Sequence, residues 1–252
     1  MGLTLEEGLR RLADAAQWSS ADWSAAGRTG AGQPAAGRLS AFIEPRLDAV
    51  SALLERYIAE IERFNPAYGL VKVKNREELV TRHILDSLAP LGIILSLLEA
   101  GGPAAQAADL GSGAGLPGIP LAIALPEFRF TLIERMGRRA GFLRNTAAVL
   151  GLENVAVEEA EMEKAAPGRF TLLCFRAFRP LEPALHKALL RLLAPGGAIA
   201  AYKGRLEAIR AELAALGPLN PDRAPASWEI LPCPTPGLDE ERHLLVLRHP
   251  GD

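Results

Sequence analysis

The stretch Ala107-Ala108-Asp109-Leu110-Gly111-Ser112-Gly113-Ala114-Gly115-Leu116-Pro117-Gly118-Ile119-Pro120 passes from a short apolar strand, through an acid and a run of glycines, into an apolar helix. Glycine tolerates positive φ and lets a ligand come close to the backbone, so the pattern describes a binding turn rather than a plain connection. In an open α/β sheet, small ligands lie beyond the carboxyl ends of the strands. A crevice is therefore expected where the strand carrying Asp109 ends.

Downstream of this turn, short apolar runs alternate with helical patterns, giving strand candidates at 106–110, 128–133, 154–158, 170–175 and 197–202. Such alternation predicts a mostly parallel sheet with helices on both faces. Two last candidates, 227–232 and 242–248, have no long helix between them and are expected to pair antiparallel. Upstream, Leu5, Leu9, Leu12 and Ala15 give residues 4–16 helical periodicity, and 19–37 reads as a flexible Ser-, Ala- and Gly-rich linker. A longer helix is predicted over 39–64, closed by Asn65-Pro66, with two more near 75–88 and 91–100. The expected fold class is α/β, about seven strands with an antiparallel last pair, preceded by N-terminal helices. Residues 1–38 read as an extension and linker. Residues 39–252 read as one domain, helical to 100 and α/β over 101–252.

Composition narrows the function classes. Of 252 residues, 28 are Lys or Arg and 30 are Asp or Glu, a net charge of −2 that excludes a whole-surface polycation. The two cysteines, Cys174 and Cys233, form no CxxC and have no His at ligand spacing, so neither a disulfide framework nor a metal site is expected. Glu6 and Glu7 interrupt the place where an export signal needs an apolar run. The greasy run Leu88 to Leu98 contains Pro90 and Gly92 and falls short of the roughly 20 residues of a membrane span. A cytoplasmic protein with no membrane partner is expected.

Gly113-x-Gly115-x-x-Gly118 also satisfies a dinucleotide fingerprint, a weak signal alone. Asp109, two residues before the first glycine, would repel a pyrophosphate on the helix N-terminus. The same carboxylate suits a ligand carrying an ammonium and a sulfonium, which is S-adenosylmethionine. Glu134 ends the next strand, where a carboxylate accepts from ribose hydroxyls, a feature that NAD enzymes share. Asp109, Gly111, Ser112, Gly113, Leu116 and Glu134 are the cofactor candidates, and an NAD-dependent oxidoreductase is the competing reading.

The segments Arg82-His83-Ile84-Leu85-Asp86-Ser87-Leu88, Asp109 to Pro120, Phe142-Leu143, Asn154-Val155, Arg176-Ala177-Phe178 and Lys203-Gly204 occur in that order. On these motifs the chain, over about residues 39–248, resembles the bacterial small-subunit rRNA guanine-N7 methyltransferases, also called glucose-inhibited division protein B. The resemblance implies a Rossmann-like S-adenosylmethionine-dependent methyltransferase fold. It implies methylation of N7 of one guanine near the decoding site, with small-subunit rRNA or the ribosomal subunit as partner. It further implies cofactor contacts from Gly111 and Leu116, from Met162 and Glu163 near the adenine, and from Arg176. Two departures stand out: Glu161-Met162-Glu163 replaces the family's usual Arg-Ala-Glu, and Gly69-Leu70-Val71 replaces Asn-Leu-Thr.

Guanine N7 carries an in-plane lone pair, so no general base is expected. Arg176 and Lys203, at the ends of the fourth and fifth strands, are the candidate catalytic cations, and Lys203 also a contact to RNA. Arg138 and Arg139, within a cluster that includes Arg135 and Arg144, are further RNA candidates; Lys72, Lys74, Arg76 and Arg82 form a second cluster. Both clusters equally fit solvated helix faces. His83, Asp86 and Ser87 share a helix face but have no Gly-x-Ser-x-Gly elbow, so they are expected to form a buried network that braces the glycine turn. A methyltransferase for a small molecule or protein, or a partner-binding fold without catalysis, fits the same turn.

Overall fold

A computed structural model describes residues 3–14, 43–216 and 228–248. The predicted linker at 19–37 lies outside them. Strands β1 (Gln106–Leu110), β2 (Arg129–Ile133), β3 (Val155–Glu158), β4 (Phe170–Arg176), β5 (Leu193–Lys203), β6 (Trp228–Pro232) and β7 (His243–Arg248) form one sheet in the order β3-β2-β1-β4-β5-β7-β6. The first five strands run parallel, and β7 is antiparallel to both β5 and β6. The expected seven-stranded sheet with an antiparallel last pair is thus observed. Strand β5 begins at Leu193, earlier than its apolar run suggested.

Strand residues alternate between two apolar layers, as period-2 geometry requires. Ala107 and Leu172 pack in the larger layer, and Ala108 and Leu173 in the smaller. The larger layer takes α1 (Leu5–Asp14), α2 (Leu47–Tyr68), α5 (Leu91–Ala100), α6 (Gly118–Ala124) and α7 (Gly137–Leu150). The smaller takes α8 (Pro183–Leu192) and α9 (Leu206–Leu216). The strand order reverses between β1 and β4, and the splayed carboxyl ends of neighbouring strands at such a switch point leave a crevice.

Helix α2 does not end at Asn65-Pro66. Pro66 lacks only its own N–H, so the helix runs another half turn to Gly69, which takes φ +59° and donates to the Asn65 carbonyl at 2.9 Å. The Asn65 side chain accepts the Val71 N–H at 2.9 Å, fixing the exit of the chain.

Residues 76–88 are helical as predicted, but in three registers: α3 (Arg76–Leu79), a π-helical stretch Val80–Leu85, and α4 (Asp86–Leu88). Widened turns of this kind concentrate at functional sites. The helical run from Arg76 to Ala100, 25 residues, is longer than the apolar run Leu88 to Leu98 and by length and composition alone could cross a bilayer. Its apolar window is 78% buried within the molecule, so the protein's own core occupies that surface.

Helix α1, expected to belong to an extension, joins the main core through Leu5 and Leu9. Gly8 makes the approach possible, because a Cβ there would stand 2.3 Å from Leu85 Cδ1.

Candidate active site: two cavities at the ends of the parallel strands

Asp109 sits at the end of β1 with almost no solvent exposure. Its Oδ2 accepts the Gly118 N–H at 3.1 Å, and its Oδ1 is buried without a partner. Burial disfavours the charged form and pushes this carboxyl up to about 7, against the opposing hydrogen bond from the Gly118 N–H. The Ser112 hydroxyl donates to the Asp109 carbonyl at 2.9 Å and tightens the turn. A Cβ on Gly111, at φ +66°, would lie 2.5 Å from the Phe178 ring, so only glycine fits beneath that side chain. Tyr57 on α2, fully buried, donates to the Ala114 carbonyl at 2.7 Å and braces the turn from below.

Glu134 is buried at the end of β2, where its two oxygens accept the Gly113 and Met136 N–H groups, each at 2.9 Å. It borders a cavity of about 580 Å³ lined also by Gly111, Met136, Arg139, Met162 and Glu163. Met162 is buried in a 3-10 turn; the neighbouring Glu163 is exposed and pairs with Arg179 at 2.7 Å, which lowers its carboxyl below the usual range. Glu161, standing where the resembled family has Arg, pairs with Lys164 at 3.3 Å and lines the same cavity.

A second cavity, about 510 Å³, opens beside Arg176, Tyr202, Lys203, Arg242, His83 and Asp86. Arg176 at the end of β4 donates to Asp86 Oδ2 at 2.9 Å and to the Arg82 and His83 carbonyls at 3.3 Å, and approaches His83 Nδ1 at 3.1 Å. Arg242, just before β7, donates through Nε to the other oxygen of Asp86, also at 2.9 Å. Burial, reinforced by the Arg176 charge, lowers His83 to about 4 and keeps its imidazole neutral. Lys203 at the end of β5 pairs with Glu212 of α9 at 2.5 Å. The segment Ala177–Arg179 lines both cavities and forms the wall between them.

The network of His83, Asp86 and Ser87 exists, but it holds Arg176 and Arg242 rather than the glycine turn. Ser87 donates to the His83 carbonyl at 2.6 Å, and Tyr202 donates to the Ser87 carbonyl at 2.9 Å. Half of the eight cations of the two predicted clusters are already engaged. Arg138 donates to the Ala67 carbonyl at 2.7 Å and lies over the Tyr68 ring, Arg144 pairs with Glu159, Arg76 with Glu55 and Glu62, and Arg82 with Glu78 and Glu240. Among the described residues Arg135, Arg139, Lys72 and Lys74 make no ion pair, and Arg139 faces the first cavity. Sequence reasoning missed Arg242, Tyr57 and Glu212; no local motif marks them, and only the folded chain brings them to the site.

This fold, with a glycine turn beside two acids at the switch point and a cation-lined cavity at the ends of β4 and β5, is that of a methyltransferase. The solved structure of CurJ carbon methyltransferase shares the fold, with a TM-score of 0.54 at 11% identity over 86% of this chain and 65% of that one. The family described as rRNA small subunit methyltransferase G (GidB) matches residues 50–216, and the chain belongs to it. Ribosomal RNA small subunit methyltransferase G of Treponema pallidum is 40% identical over 206 residues, 80% of this chain and 86% of that protein. The enzyme of the same name from Xanthomonas axonopodis pv. citri is 41% identical over 204 residues, 79% and 87% of the two chains. Membership sets aside the NAD-dependent oxidoreductase reading.

Proposed function

We propose that this protein transfers the methyl group of S-adenosylmethionine to N7 of one guanine in small-subunit rRNA, directly and without a general base. The observation that carries the reading is the pair of cavities meeting at the Ala177–Arg179 wall, the first holding the buried Glu134 beside the glycine turn and the second lined by Arg176, Lys203 and Arg242. Family membership supports the rRNA acceptor.

The donor set fits the cofactor. The buried, unpartnered Oδ1 of Asp109 is an acceptor waiting for a donor, and a cationic ammonium satisfies it. Glu134, fixed by two backbone amides, retains lone pairs for hydroxyl donors, and Met162 supplies an apolar wall. Gly111, Ser112, Gly113 and Leu116 shape the turn, while Glu163 and Arg139 border the same cavity's mouth or its flanks. When bound, S-adenosylmethionine supplies an electrophilic methyl on a sulfonium.

The residues of the second cavity hold the acceptor. Neither ring nitrogen of His83 is available as a base, because one faces Arg176 and the imidazole also bonds the Lys72 backbone. That suits N7, whose lone pair attacks with no proton to remove. Orienting nucleophile and methyl group accounts for the rate, an effect worth roughly 7–11 kcal/mol for well-placed partners. Arg176, locked by Asp86 and His83, presents a fixed positive edge at the meeting of the cavities. Lys203 supplies a charge for the RNA backbone, giving affinity without base selectivity.

The test is methyl transfer from labelled S-adenosylmethionine to small ribosomal subunits from a strain lacking the enzyme, with nuclease mapping and an Asp109→Ala control. Label recovered as N7-methylguanine at one position, and lost in the control, supports the reading. Cofactor binding with no label in rRNA would overturn the acceptor and leave the cofactor.

A further inference from the structure

Lys203 differs from the other cations of the acceptor cavity in how it is held. Arg176 and Arg242 share the nearly buried Asp86, and Arg176 is further pinned by two carbonyls. Lys203 has one anionic partner, Glu212, whose side chain is 22% exposed. The same oxygen of Glu212 that accepts from Lys203 Nζ at 2.5 Å also accepts the Leu181 N–H at 3.0 Å. Leu181 closes the segment that begins at the wall residues Ala177, Phe178 and Arg179, and Ala177 is held at φ +50°, a conformation that L residues seldom adopt. Phe178 rests on Gly111 of the glycine turn. One carboxylate oxygen therefore joins the end of β5, helix α9 and the partition between the two cavities.

We propose that Glu212 is a positioning residue for the acceptor, one that masks Lys203 until an RNA phosphate displaces it and that fixes the wall through the Leu181 amide. The inference rests on the acceptor reading above and deepens it. An ammonium has three donors, and a phosphodiester offers anionic oxygens that compete directly with a carboxylate. The exchange neutralises the lysine by the substrate in place of the protein, and it leaves the Glu212 oxygen to the Leu181 amide alone. RNA binding at Lys203 thereby bears on the wall beside the cofactor's turn.

Glu212→Gln keeps an oxygen for the Leu181 amide and removes the charge from Lys203, whereas Glu212→Ala removes both. Direct binding of small ribosomal subunits, by filter retention at several salt concentrations, reads the first part whether or not turnover is seen. Glu212→Gln is expected to tighten binding several-fold with little change in the log-log salt slope, because the Lys203–phosphate contact forms in both proteins and only its competitor is removed. In a Lys203→Met background the same substitution is expected to leave binding unchanged. An equal gain with and without Lys203 would mean general electrostatics and would overturn the masking role.

The second part is read by titration with S-adenosylhomocysteine. Glu212→Ala is expected to weaken binding about tenfold through a loosened wall, with Glu212→Gln restoring most of it. Equal affinity in both variants and the unaltered protein would overturn the link to the wall. Failure of the unaltered protein to bind or methylate small subunits counts against the acceptor reading, and the titration with S-adenosylhomocysteine still tests the wall.

Discussion

Asp109 reaches nine residues along the chain to accept the Gly118 N–H at 3.1 Å, closing the glycine turn on itself, while its second oxygen stays buried and unpartnered. One oxygen shapes the turn, and in the function proposed above the other would meet a ligand's ammonium. Gly118 is required for this, since a Cβ there would stand 2.8 Å from Asp109 Oδ2.

The raised carboxyl makes binding depend on pH. Below about 7 Asp109 is protonated and attracts no cation; above it the carboxylate forms. S-adenosylhomocysteine, whose ammonium would face Asp109, is expected to bind about tenfold more tightly at pH 8 than at pH 6 by calorimetry. The free protein is expected to follow the opposite trend in stability. Because the folded-state value lies above the unfolded one, the fold binds the extra proton, and that stabilisation fades as pH rises from about 4 through 7. A flat affinity across this range would show that Asp109 does not meet the ammonium.

Asp86 is the hub of the second cavity, with Arg176 on one oxygen and Arg242 on the other. Removing one member of a buried ionic group leaves its partners uncompensated, at a cost of about 3–5 kcal/mol. Asp86→Ala is accordingly expected to lower the urea midpoint strongly and to abolish methyl transfer. Arg242→Ala, at the more exposed side, should cost less stability. Equal and small effects from both would refute a shared hub.

Gly111 and Gly113 both take positive φ, yet they differ in surroundings. A Cβ on Gly111 meets the Phe178 ring, while one on Gly113 has nothing closer than 3.8 Å. Gly113→Ala should therefore cost only the backbone strain, about 1–2 kcal/mol. Gly111→Ala must also displace Phe178 and should lose cofactor binding. Adding Phe178→Ala should recover part of that loss, which calorimetry of the double variant can measure.

Gly8 lets α1 lie against Leu85, directly behind the segment that presents His83 and Asp86. Overpacking of this kind costs about 1–3 kcal/mol. Gly8→Val is expected to lower the melting temperature by several degrees and to reduce methyl transfer beyond the loss in folded fraction. An unchanged melting temperature would mean that α1 detaches without consequence.

The glycine turn and its flanking acids were legible from local sequence because their parts are local. A strand, a turn and a helix N-terminus placed Asp109 and the glycines within ten residues, and Glu134 followed from the end of the next strand. Helix boundaries were less legible: Asn65-Pro66 is a strong stop signal, but a proline in the last turn removes only one hydrogen bond, and the left-handed Gly69 sets the end. Charge runs do not disclose that Arg138 lies on Tyr68 or that Arg76 is held by two glutamates, whereas Arg135, Arg139, Lys72 and Lys74 of the same clusters make no ion pair among the described residues.

By itself, then, the sequence determined the alternating α/β architecture, the glycine turn and the acids at the ends of its first two strands, because period, turn chemistry and strand ends are properties of short segments. Only the tertiary structure decided what surrounds the acceptor. Arg176 and Arg242 meet Asp86 across 90 and 156 residues, and Glu212 meets both Lys203 and Leu181 on different elements. These meetings depend on the strand order, which brings β4 beside β1 and β7 beside β5, and no local pattern encodes which strands become neighbours.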